Sequence, residues 1–146
     1  MVLCTVFEHL VDHDNWLNRA NCLLECGGLF VTLQPTAPFA NLLGRIVRLG
    51  NLHAPLPALH QVFCPPWHTV FFSLKGMEIL MSRHGFALLE IRPAPQGRMR
   101  GTMGVAQVGL EMVNRLGWSL VGQRWPLVTA HIFVLKKVQD ANPDSV

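Results

Sequence analysis

The sequence predicts an α/β fold, a sheet of about four strands with flanking helices, on three observations. Apolar β-compatible runs alternate with segments of helical periodicity. One strand, Leu29-Phe30-Val31-Thr32-Leu33, is nearly unbroken apolar, the composition of a strand buried on both faces. Finally, 146 residues of which 50% are hydrophobic and 14% charged supply one domain with a sizeable core and exclude a disordered chain. That domain is expected over residues 1–138, with a polar tail at 139–146.

Met1 to Phe7 reads as the first strand, with Val2, Thr5, Val6 and Phe7 supplying β-branched and aromatic residues. Asp12 and Asp14 offer N-cap oxygens to a helix in which Trp16, Leu17, Ala20, Leu23 and Leu24 recur at helical spacing up to Gly27-Gly28. The strand from Leu29 follows and ends at Pro35, so the first two strands should be parallel neighbours joined by a right-handed crossover. Pro38 opens a second helix with Phe39, Leu42, Leu43, Ile46 and Val47 on one face. Residues 50–70, broken by prolines, form a long irregular excursion of the kind that carries function. Ser73 caps a third helix, with Leu74, Met77, Leu80 and Met81 inward, closed by Gly85 ahead of a strand from Phe86 to Ile91. A fourth helix over 103–116 has Val105, Val108, Met112, Val113 and Leu116 on one face, with Met112 expected inward, and stops at Gly117. The last strand runs from Val128 to Val138.

No stretch of 18 consecutive apolar residues occurs, which excludes a spanning helix, and Glu8, His9 and Asp12 interrupt the apolar start too early for a signal peptide. A cytoplasmic location is expected. The four cysteines read as reduced, with Cys22 and Cys26 as small buried residues on one helix. A net charge of +3 is too weak to argue for nucleic acid. The charge is uneven, because residues 1–30 carry four acids and one base while 41–100 carry seven bases and two acids. A solvated basic surface accounts for that more readily than an anionic partner does.

The order Val6-Phe7-Glu8-His9-Leu10-Val11-Asp12, Leu23-Leu24-Glu25-Cys26-Gly27-Gly28-Leu29, Phe71-Phe72-Ser73-Leu74 and His84-Gly85-Phe86 resembles the C-terminal half of a class I S-adenosylmethionine-dependent methyltransferase. The resemblance extends from Met1 to about Lys137. It implies a partial Rossmann-like fold, a mixed sheet built from the fourth to seventh strands of the family, the last one antiparallel, with acceptor-side insertions at 36–70 and 94–127. It implies methyl transfer to a small-molecule acceptor. The family's glycine-rich turn after a strand and its ribose-binding acid have no counterpart here, since Gly27-Gly28 follows a helix. The chain alone is therefore expected to be inactive and to bind S-adenosylmethionine poorly. Met1 falls in mid-sheet, leaving an exposed strand edge for a homodimer partner, for the donor-binding half as a split enzyme, or for the target of a non-catalytic interaction module.

His9, past the carboxyl end of the first strand, is the expected general base, and the resemblance places Glu8 and His9 at the cofactor. The alternative is that both residues anchor the next helix. His68, Trp67 and Phe72 are expected to line the acceptor pocket, with core packing as the plainer account of the aromatics. Thr5 stands where quinone methyltransferases resembling this family carry a first metal-binding Glu, so no metal is expected there. His53, His60, Cys64 and His68 match no common zinc spacing.

Overall fold

A computed structural model describes residues 1–49, 70–95 and 100–140. Strand β1 (Val2–Cys4) is shorter than the expected Met1–Phe7. Thr5 takes φ 50°, a left-handed conformation that a β-branched residue rarely adopts and that ends the extended backbone. A single 3-10 turn over Phe7–His9 follows.

Helix α1 (His13–Leu23) begins as its sequence predicts, with the Asp12 carboxylate accepting from the Asn15 amide at 3.0 Å. Lys137 holds its far end. The buried Nζ donates to the Asn21 and Leu24 carbonyls at 2.9 and 3.0 Å and lies 2.7 Å from the Asp140 carboxylate, which puts a cation on the negative helix terminus. Gly27, at φ 85°, makes the turn into the sheet.

Strand β2 (Leu29–Pro35) follows α1 and α2 (Ala37–Leu49) follows β2. Ser73 caps α3 (Leu74–Arg83) by accepting from the Gly76 amide at 2.9 Å. Gly85, at φ 79°, then leads into β3 (Phe86–Pro93), and a side chain there would collide with the Gln139 carbonyl. Helix α4 (Thr102–Val121) precedes β4 (Ala130–Lys137). The sheet order is β1-β2-β4-β3: β1 is parallel to β2, and β4 is antiparallel to both of its neighbours. This is the expected α/β architecture with a mixed sheet of four strands.

Register divides the sheet into two faces. Phe30 opposes Leu135 and Thr32 opposes Phe133, so these side chains share a face with Leu3. There they join Phe7, Leu17, Ala20, Leu74, Met77, Met81 and Phe86 in one core. Residues of the other face, including Val31, Leu33, Ile132 and Val134, are not among that cluster.

Three expectations need correction. Helix α4 runs through Gly117 to Val121 and stops at Gly122, at φ 62°. Gly117 is instead a packing position, where a Cβ would strike the Trp125 indole. Val105, Val108, Met112, Val113 and Leu116, sharing the face expected inward at Met112, are exposed, while Asn114 is buried and donor Trp125 Nε1–H reaches its Oδ1 at 2.9 Å. Periodicity identifies an apolar stripe without saying which stripe meets the sheet. Cys22 is exposed because α1 turns Leu17, Ala20 and Asn21 inward, and Cys26, expected on the same helix, lies beyond its end at Leu23 and is exposed too, as is Cys4; all three are free thiols. Among the described residues no helix is long and apolar enough to cross a membrane.

Candidate functional site

The carboxyl ends of β1 and β2 bring together residues that lie far apart in sequence. Phe7, Glu8 and His9 leave β1, and Thr36 leaves β2. Thr36 forms an isolated parallel bridge with Phe72, whose carbonyl accepts from the Ala37 amide at 2.9 Å. The Phe72 ring meets Phe7 at 5.6 Å and His13 at 5.1 Å, between centroids. His13 Nε2 donates to the Phe7 carbonyl at 3.0 Å, which orients the ring and fixes the turn.

The turn gives Glu8 and His9 different environments. Glu8 is 2% exposed, with its side chain taken into the protein. The His9 side chain is 37% exposed, and its Nε2 lies 3.9 Å from Glu8 Oε1. That is beyond hydrogen-bond length, so no direct hydrogen bond joins these two atoms. His9 is thus solvent-accessible next to a buried acid, a geometry able to take a proton from an acceptor hydroxyl or amine.

Behind this turn lies a buried polar group that the sequence reasoning missed. Thr36 Oγ1 and His131 Nδ1 are 2.7 Å apart, both residues being buried. Burial pushes the His131 pKa down from 6.5 to about 4, so the ring is neutral at physiological pH. Gln34 opposes His131 across the β2–β4 register and donates from Nε2 to Met77 Sδ at 3.2 Å. Among the described residues, His131 Nε2 and Gln34 Oε1 have no hydrogen-bond partner. The available signal was parity: His131 alternates with Phe133 and Leu135 on the inward side of a strand.

Of the expected site residues, Glu8 and His9 sit together at the turn, and Phe72 packs against the core beside Phe7. His68 and Trp67, with the set His53, His60 and Cys64, lie outside the described residues. The described residues do not fit S-adenosylmethionine by themselves. The Gly27 and Gly28 amides, the one glycine pair available to approach a ligand backbone-first, donate to the Lys137 and Glu25 carbonyls at 2.9 Å each. The Glu8 carboxylate is turned inward.

No protein-family model matches the chain, and no curated protein matches it at a significant level.

Proposed function

We propose that this chain is the acceptor-side half of a class I S-adenosylmethionine-dependent methyltransferase, with His9 as the base that accepts the proton of a small-molecule acceptor. The observation that supports it is the placement of Glu8-His9 directly past the carboxyl end of β1, a border strand parallel to β2, in a sheet whose last strand is antiparallel. Ligands of open parallel sheets bind at that edge. In this reading His9 orients the acceptor and holds its proton, and the buried Glu8 carboxylate stabilises the charge that forms on the imidazole. Since these residues do not fit the donor, the donor's cradle belongs to a second polypeptide segment, and the chain alone is inactive.

The experiment is titration of the labelled chain with S-adenosylhomocysteine, followed by amide NMR and by calorimetry. Expected are small shifts confined to Val6 through Leu10 at millimolar ligand and no micromolar isotherm. A micromolar isotherm overturns the inactivity, and the absence of any shift at those amides overturns the family reading.

A second reading, an interaction module that pairs through β1, draws on the border of that strand, which pairs with no strand other than β2 among the described residues and where Val2 is 68% exposed and Cys4 is exposed. Light scattering distinguishes it: concentration-dependent association is expected, and a stable monomer across the accessible range removes this reading.

A further inference from the structure

A cavity lies away from the turn, bounded by β3 and α4, and has a volume of about 620 Å³. That is within the range of small-molecule sites. One wall is the α4 face bearing Glu111, Arg115 and Trp118, which spacings of four and three place in a row along the helix. The facing wall carries Ile91 and Pro93 with an ion pair, Glu90 to Arg92, that neutralises its own charge.

The helix wall is charged differently. Among the described residues neither Glu111 nor Arg115 takes part in an ion pair, although an acid four residues before a base on a helix ordinarily pairs with it. An open guanidinium and an open carboxylate therefore face the same space one turn apart, followed by an indole. The wall is also held in place. Trp118 packs on the buried His131 ring at 5.4 Å, and Trp125 fills the notch at Gly117 while donating to Asn114. A ligand meets a positioned surface rather than a mobile one.

We propose that this cavity binds a planar aromatic acid whose ring also carries a hydroxyl or amino donor. Each feature has a matching group. The guanidinium of Arg115 is built for a carboxylate, which it grips with two parallel hydrogen bonds. The Trp118 face takes the ring by stacking. The Glu111 carboxylate accepts from the donor substituent. The claim concerns binding and is independent of methyl transfer: it is read at Trp118 and Thr129, whereas the proposed function is read at Val6 to Leu10.

The test is titration of the full chain with 3-hydroxy-2-naphthoate, followed by Trp fluorescence and by the Trp118 and Thr129 resonances in NMR. 2-Naphthol and cyclohexanecarboxylate serve as comparison probes. Saturable binding is expected for the hydroxynaphthoate, at least about tenfold tighter than for either comparison probe. Arg115→Ala should weaken it about tenfold or more, with partial recovery in Arg115→Lys, which keeps the charge and loses the fork. Trp118→Leu should weaken it independently. Arg115 is exposed, so its variants are expected to fold, and a circular dichroism melt verifies this. Equal affinity for 2-naphthol indicates adsorption on the exposed apolar stripe of α4 and overturns the proposal. So does binding indifferent to Arg115→Ala, or no saturation by the hydroxynaphthoate at millimolar concentration.

Discussion

The two faces of this sheet are made by the same strands and have different fates. On one face Phe30, Phe86, Phe133 and Leu135 are buried beneath α1 and α3. On the other, Val31, Leu33, Ile132 and Val134 are only half-buried, and Leu29 is 49% exposed. Parallel strands ordinarily have both faces covered. An apolar run such as Leu29 to Leu33 is written for two layers, and among the described residues one of its faces lies outside the core cluster.

The sharpest way to break that comparison uses neighbours in sequence. Phe133→Ala is expected to cost about 3–5 kcal/mol, because it empties a fully enclosed aromatic site. Val134→Ala, one residue on and facing the other way, should cost about 1 kcal/mol or less. Urea denaturation of both variants measures the difference. Equal losses would mean that the two faces are packed alike.

His131 gives the covered face a pH signature. The folded chain holds the ring neutral with a pKa of about 4, while the unfolded chain takes up a proton below 6.5. Stability from this source is complete above pH 6.5 and falls as the pH drops toward 4, by about 3 kcal/mol at most, then levels off. The difference between parent and His131→Phe denaturation midpoints across pH 4–7 isolates it. A difference that does not change with pH would show that His131 is not held neutral.

Lys136 and Lys137 repeat the comparison with charge. Lys137 faces inward and caps α1, so Lys137→Met should cost about 1–3 kcal/mol by removing the ammonium from the Leu24 carbonyl and leaving the Asn21 carbonyl only the Leu24 amide. Lys136 faces outward and is exposed, and Lys136→Met should change stability by no more than about 0.5 kcal/mol. Thermal melts at one pH suffice, and a Lys136 effect as large as that of Lys137 would contradict the assignment of faces.

How much of this was legible in the sequence follows from the range of each interaction. The Asp12 and Ser73 caps act over three residues, and both helices start where the sequence placed them. The parallel first pair followed from a chirality rule that needs only the order of elements. The end of β1 was misplaced because the obstacle is one backbone angle at Thr5, in a run whose side chains all favour a strand. The stripe of α4 was assigned to the wrong side because the contacts that decide it, Trp125 with Asn114 and Trp118 with His131, involve polar atoms that a hydropathy pattern ranks as outward. At the candidate site, Glu8 and His9 were singled out by the family resemblance and by their position after a strand, and the structure places both in one turn. Thr36 and His131 are 95 residues apart and meet only through strand order, which no local pattern encodes.

The smallest effect tests the less covered face directly. Val31 and Val134 are paired across β2 and β4, and both point away from the core. Changing the pair to Val31→Thr with Val134→Thr keeps the β-branched shape and replaces two methyls with hydroxyls that water can satisfy. On a covered face such hydroxyls would be stranded, at a cost of about 1–3 kcal/mol each. On an open face the loss is limited to a weakened cross-strand pair, a few tenths of a kcal/mol. The double variant should therefore fold with nearly parental stability and bind less of a hydrophobic dye such as ANS.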